Sequence, residues 1–268
     1  MAKYKKKRAR ELQQDRFRDA TMSFFDRLGD SLEGQGRTIL YGLGVFILAA
    51  ALVIGFVKWR QRKADEAQHA LGRAIAISNT TVLPNPVAGT TEPTFSSEKE
   101  RSQRAIEEFQ KVAAKYGDPY RSEARYFIAA NQLALDRPKA MSELAELSSS
   151  SVPEVAALSK FALAQANESD GNFDEAAKLY NELAKLNSPT VTQETANLRL
   201  AKVYEKQGKK KEAADLLFNL VDASRKAKGP DNLPLPASSA AREAADELKK
   251  LDPDRYAQLP AENTFLAG

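Results

Sequence analysis

The sequence predicts an all-α protein in which an N-terminal transmembrane helix is followed by an α-solenoid of about four helical pairs and a C-terminal capping helix. Three observations predict this fold class. One stretch of the chain, residues 39–57, has no charged residue. The chain beyond it is rich in Ala, Leu, Glu and Lys, which favour helices, and lacks β-branched runs. A short alanine motif recurs there at spacings of 35, 36 and 37 residues, which is typical of a helical-pair repeat.

Residues 39–57 (ILYGLGVFILAAALVIGFV) form the predicted membrane span. A helix of this length reaches roughly 28 Å, about the thickness of the hydrocarbon core of a bilayer. Arg37 bounds the stretch on one side and Lys58 on the other, and the rings of Tyr41 and Trp59 lie near its ends, where amphipathic rings favour the headgroup region. A buried helix of a soluble core rarely runs this long without a charge, so a membrane helix is favoured.

A cleaved signal peptide is the alternative for this segment. Its charged leader is normally short, and its apolar region of ~7–15 residues ends at a small-residue cleavage site. Here 36 residues precede Arg37, and the three alanines at positions 49–51 fall in the middle of the apolar stretch. We therefore expect a retained signal anchor. Within it, Ala51 and Gly55 have the small-residue spacing through which membrane helices contact each other, and we expect a helix contact there.

The charges on the two sides of the span predict its orientation. Residues 1–37 contain ten Lys or Arg, whereas the twenty residues after position 57 contain five. The positive-inside rule then places the N-terminus in the cytoplasm and the large C-terminal part outside it. Residues 1–63 carry a net charge of +8 and the remainder −4, so the basic character belongs to the membrane-proximal part. We interpret these charges as topology determinants and contacts to membrane lipid, and not as a nucleic-acid surface.

The residue types available to a catalytic site are few. The sequence has no cysteine, which excludes a disulfide, a thiolate metal site and a cysteine nucleophile and is compatible with a bacterial periplasm. Its one histidine, His69, lies in a charged helical stretch, where a solvated residue is typical. No Gly-rich phosphate loop with the required spacing is present. The sequence therefore predicts a protein that is not an enzyme and has no cofactor, metal site or small-molecule substrate.

Composition divides the chain into four predicted segments: a basic cytoplasmic tail (1–38), the transmembrane helix (39–57), a repeat domain (58–251) and a C-terminal tail (252–268). Within the basic tail, residues 9–32 mix apolar and basic side chains, and both an interfacial helix and a disordered segment remain open. Two proline-rich stretches, 79–96 and 229–239, interrupt the helical pattern and are predicted loops.

The repeat consists of an alanine, a large apolar residue four positions later and another three positions after that. In the last two units a glycine stands five residues before the alanine, at Gly171 and Gly208, and an apolar helix precedes each glycine. The glycine can end the first helix of a pair, and the alanine lets the second helix approach it closely. The four sets are Ala105, Phe109 and Val112; Ala140, Leu144 and Leu147; Ala176, Tyr180 and Leu183; and Ala213, Leu217 and Leu220.

This pattern resembles the tetratricopeptide repeat (TPR), whose unit is two antiparallel helices of about 34 residues. The early Trp of that family is absent, and its Leu-Gly pair is replaced by Leu-Ala at 163–164 and 200–201. A generic helical bundle with chance periodicity is the alternative. Residues 237–251 form a further amphipathic helix that we expect to cap the stack. The residues that match the family are Gly171, Phe173, Ala176 and Tyr180 in one unit, and Tyr204, Gly208, Ala213 and Leu217 in the next.

A single span followed by such repeats is similar to the YfgM-type ancillary subunits of the bacterial Sec translocon. The local resemblance consists of residues 23–25 (SFF), the Gly-rich span, and residues 58–60 (KWR) leading into an Ala-rich helix. It implies a single-pass protein of the bacterial inner membrane with a periplasmic repeat domain. It also implies protein partners, namely the Sec translocon, exported polypeptides and periplasmic chaperones.

The binding site that the repeats imply is a concave groove lined by the first helix of each unit. One face of that helix carries an aromatic ring, amide groups and both signs of charge, a mixture that suits recognition of a peptide. A solvated face that binds nothing specific is the alternative, and for Phe161 a place in the core also remains open. The candidate groove residues are Arg125, Gln132, Phe161, Gln165, Glu168, Lys202, Glu205 and Lys206.

Two functions of different classes are compatible with these features. The first is an accessory translocon subunit that contacts emerging chains or passes them to chaperones. The second is a scaffold for envelope assembly, such as division or secretion machinery, with no part in translocation. A translocon subunit is expected to use its membrane helix for contact, whereas a scaffold needs only the groove.

Overall fold

The structure, a computed structural model, describes residues 36–83, 94–186 and 188–262, with side chains from residue 41 onward. Within these ranges all regular structure is helical, apart from two isolated β-bridges, Val82 with Phe95 and Lys228 with Pro234. The all-α prediction is therefore confirmed for these residues. Residues 9–32, for which an interfacial helix and a disordered segment remain open, and the SFF segment lie outside them. The chain divides into two compact units, one ending at Asp65 and the other beginning at Glu66.

Ten helices occur in the ranges just given. They are α1 (Gly36–Ser78), α2 (Glu98–Lys115), α3 (Tyr120–Gln132), α4 (Arg137–Leu147), α5 (Pro153–Ser169), α6 (Phe173–Lys185), α7 (Gln193–Lys206), α8 (Lys210–Lys226), α9 (Ser239–Leu251) and α10 (Pro253–Tyr256).

Helix α1 is longer than the predicted span, with 43 residues in one continuous helix. The residues after position 57 are mostly Lys, Arg, Gln, Ala and Glu, which are good helix formers, so no signal ends the helix there. Between positions 41 and 57 every side chain is exposed except that of Ala50, which is partly buried. Among the described residues, α1 is the one helix long and apolar enough to cross a membrane.

In the second unit each helix from α2 to α9 packs against the next, and α9 packs against both α7 and α8. Three residues separate α5 from α6 and α7 from α8, so the partners in each pair run antiparallel. The last part of α1 supplies the first partner of α2, because Ala67, Leu71 and Ala74 are buried in a cluster with Phe109. The described residues of this unit thus form four helical pairs followed by further helices.

The alanine motif lies in the second helix of each pair and is buried throughout. The exposed fraction is 1% for Ala140 and 0% for Ala105, Ala176 and Ala213. The apolar residues four and seven positions after each alanine are also buried. A methyl side chain at this position lets the backbones of paired helices approach closely, while the large side chains fill the space between successive pairs. The register predicted from the spacing is thus the register of the core.

Glycine ends the first helix of the last two pairs. Gly171 and Gly208 have φ values of 77° and 76°, the left-handed region in which a side chain is strained. The amide of Asn172 donates to the carbonyl of Asn167 at 2.9 Å, and that of Lys209 donates to the carbonyl of Tyr204 at 2.8 Å. These bonds satisfy carbonyl groups that the helix end leaves without partners.

The start of α9 differs from the predicted one by two residues. The hydroxyl of Ser238 accepts a hydrogen bond from the amide of Ala241 at 3.1 Å, so Ser238 is the N-cap of α9. Helix α9 therefore begins at Ser239 and not at 237, and Ser239, which the proline-rich pattern places in a loop, is helical. The loop before α9 begins at 227 and ends at 238.

Candidate protein-binding face

Most of the predicted groove residues lie on the first helices of the last two complete pairs, α5 and α7, and the structure adds α9 beside them. We call this surface the first-helix face and define it by Gln165, Glu168, Lys202, Glu205, Lys206, Glu243 and Glu247. Sequence reasoning missed the two residues of α9, although the amphipathic pattern of that helix was recognised.

Two ion pairs join neighbouring helices across the first-helix face. The ammonium of Lys206 on α7 lies 2.7 Å from a carboxylate oxygen of Glu168 on α5. The other oxygen of Glu168 accepts a hydrogen bond from the hydroxyl of the buried Tyr180 at 3.0 Å. On the other side of α7, Lys202 pairs with Glu243 of α9. The cations predicted to meet a ligand therefore already have partners within the chain.

Glu205 is the carboxylate of this face that has a buried oxygen without a hydrogen-bond partner among the described residues. Burial and the nearby charge of Glu247 raise the pKa of Glu205, although Lys202 and Lys250 act in the opposite direction. Lys250 is itself paired with Glu247 at 3.2 Å. A carboxylate in this position costs stability when it is ionised.

The pH dependence of two glutamine variants tests this electrostatic arrangement. The pKa of Glu205 is higher in the folded protein than its unfolded-state pKa of about 4.3, so ionisation of Glu205 destabilises the fold as pH rises above that value. Glu205→Gln removes this cost. It should therefore raise Tm at pH 7 and leave Tm unchanged below pH ~4. The hydrogen bond from Lys202 lowers the pKa of Glu243, so Glu243→Gln is the matched control with the opposite sign. It should lower Tm at pH 7, and that loss should vanish as pH falls. Equal shifts in both variants would contradict the assignment.

The side chain of Arg125, on α3, contacts α4, the second helix of the same pair. Its guanidinium donates to Glu143 at 2.7 Å and to Glu146 at 2.8 Å, both on α4, and these bonds hold the pKa of Arg125 above its ordinary value. The structure thus does not bring Arg125 together with the residues of α5 and α7. Gln132, the last residue of α3, is half-buried.

The remaining two candidates on α5 differ in exposure. Phe161 is half-buried in the cluster formed by α5, α6 and α7, and its ring lies edge-on to that of Tyr180 at 5.8 Å between centroids. This packing favours the core assignment that the sequence left open. Gln165, one turn further along, is exposed. It is therefore the candidate on α5 that a ligand can contact without displacing a core side chain.

In the membrane helix, Ala51 and Gly55 are exposed. A Cβ atom added to Gly55 would meet no other atom within 4 Å. That surface of α1 is thus not covered by the described part of the chain, and the helix contact expected there stays a prediction. His69 is exposed too, and in the described part of the chain no three His, Asp or Glu residues are grouped so that they could hold a metal ion.

Comparison with known proteins adds little. No protein-family model matches the sequence, and no curated protein matches it significantly. The chain is similar to a solved structure described as a Podosopora anserina putative kinesin light chain with nearly identical TPR-like repeats. The two share 17% sequence identity with a TM-score of 0.48, and the match covers 69% of this chain and 85% of that chain. A TM-score this low does not assign a fold family or a function to this chain.

Proposed function

We propose that this protein is a membrane-anchored, protein-binding repeat protein and an accessory subunit of the Sec translocon in the bacterial inner membrane. Its partners would be translocating or newly exported polypeptides and periplasmic chaperones. The observation that carries the proposal is the continuity of α1. One helix contains both an exposed apolar stretch long enough for a bilayer and the first packed helix of the repeat unit.

The arrangement of charge on the first-helix face supports binding of peptides by weak, adaptable contacts. Its two lysines are paired within the chain, so a ligand gains little from them and uses exposed groups such as Gln165. Such contacts give modest affinity. A membrane tether raises the local concentration of chains that cross the same membrane, so a micromolar dissociation constant is sufficient.

The proposed topology predicts a protease result. Protease added outside spheroplasts should digest residues 64–268 and spare the N-terminal tail, because ten basic residues precede the span and five follow it closely. An epitope at each end, read by immunoblot, measures this, and a cytoplasmic marker protein controls for leakage. A C-terminal part that resists protease in intact spheroplasts would contradict the proposal.

Site-specific photocrosslinking tests the function itself. A photoreactive residue at Gln165 on the first-helix face should label secretory chains in vivo. The matched control is Asn181, an exposed amide on the second helix of the same pair, which should label far less. In the span, a probe at Ala51 should label the translocon, whereas Val53, on another side of α1, should label mainly lipid.

The outcomes separate the two functions. Labelling of the translocon from Ala51 together with varied secretory chains from Gln165 supports the accessory subunit. If the span labels only lipid and Gln165 captures one defined envelope protein, the protein is a scaffold for envelope assembly. Equal labelling from Gln165 and Asn181 would contradict a binding role for the first-helix face.

A further inference from the structure

A cavity of about 150 Å³ lies between α8, the loop that leads into α9, and α9 itself. Apolar groups of Val221, Leu235 and Ala245 form much of its wall. The rest of the lining includes the polar side chains of Ser224, Arg225, Arg242 and Glu262. An apolar cavity of about 150 Å³ binds benzene in another protein, so this volume fits one aromatic side chain. The exposed side chains of Leu233 and Leu235 extend the apolar surface along the loop.

The chain returns to this region after α9 and is held there. Leu259 is buried in the cluster that α7, α8 and α9 form. The guanidinium of Arg225 on α8 donates a hydrogen bond to the carbonyl oxygen of Pro260, and Arg255 forms an ion pair with Asp215 of α8. These contacts hold the chain beside α8 up to Glu262, the last residue described, which lines the cavity.

We propose that the cavity is the binding site of the Phe265 side chain. Residues 263–268 lie outside the described ranges, and Phe265 follows Glu262 by three residues. Three residues span at most about 10 Å, which is sufficient for the ring to enter a cavity that Glu262 itself borders. Phe265 is also the only aromatic residue after Tyr256. A segment tethered this closely has an effective concentration in the millimolar range, which favours it over a free peptide.

This interaction would continue an interface that residues 252–262 already make with α8. Filling the cavity with Phe265 fastens the C-terminal segment over the junction of α8 and α9. The inference does not depend on the proposed function, because it concerns what occupies the cavity beside α8 and α9 and not what the first-helix face binds.

Disulfide trapping in the full-length protein tests the contact. The sequence has no native cysteine, so only the introduced thiols can form a disulfide. The pair Phe265→Cys and Ala245→Cys places one thiol on the proposed ligand and one on the cavity wall. The control pair keeps Phe265→Cys and adds Ala223→Cys, an exposed position on α8 that does not line the cavity. Under mild oxidation the cavity pair should form an intramolecular disulfide about tenfold faster, because disulfides need Cα atoms within ~7 Å.

A double-mutant cycle gives an independent readout. Phe265→Ala should lower Tm in the wild-type background but not in Ala245→Leu, where the added side chain occupies the cavity. The proposal is overturned if the two cysteine pairs close at equal rates, or if Phe265→Ala has the same effect in both backgrounds. Disulfides formed only between two molecules, which identify a second copy as the occupant, would also overturn it.

Discussion

Replacing Tyr180 with Ala is expected to lower the free energy of unfolding of the repeat unit by ~3–5 kcal/mol. Tyr180 is fully buried in the cluster that α5, α6 and α7 share, and its ring lies against that of Phe161. The substitution leaves a large cavity and removes one of the two partners of Glu168. Chemical denaturation of a fragment comprising residues 66–268, followed by far-ultraviolet circular dichroism, measures the change.

Tyr180→Phe is the matched control, because it removes only the hydroxyl. Its expected cost is about 1 kcal/mol, the usual contribution of one hydrogen bond. If both variants lost the same amount of stability, the ring would not be packed as described. The cluster would then be organised around some other residue.

The second large effect concerns the repeated alanine. Ala213→Leu is expected to cost ~1–3 kcal/mol, because the larger side chain does not fit where α8 packs in the core. Ala223→Leu on the exposed side of the same helix is the control. Ala and Leu have similar helix propensities, so the control should change stability by less than ~0.5 kcal/mol. The same melting temperature for both variants would contradict the register of the repeat.

The register of the helices was predictable from sequence because it depends on local chemistry. Small and large apolar residues at helical spacing define which side of a helix is buried, and Ala176 and Tyr180 follow this rule. Gly171 and Gly208 indicated the helix ends for a similar reason, since the left-handed turn there requires glycine. The uncharged span stood out by length and composition alone.

The partners of charged groups were not predictable in the same way. Arg125 lies on the expected helix, but its long side chain reaches α4, and the position of Glu143 relative to it depends on how two helices pack. Glu243 is far from Lys202 in sequence, so only the packing of α9 on α7 reveals their contact. Helix α1 also runs beyond position 57, because nothing in the chain breaks it at the edge of the apolar stretch.

The shared glycine turn has an evolutionary consequence. Gly171 and Gly208 are 37 residues apart, and so are Ala176 and Ala213, with helices ending and starting at equivalent positions around both turns. A duplication or deletion of this length would therefore rejoin the chain with its core positions in phase, whereas a shorter change within a helix would rotate the rest of that helix out of phase with its neighbours. Proteins related to this one by such changes would differ by whole helical pairs. Both their stability and the length of their binding surface would then change by one helical pair at a time.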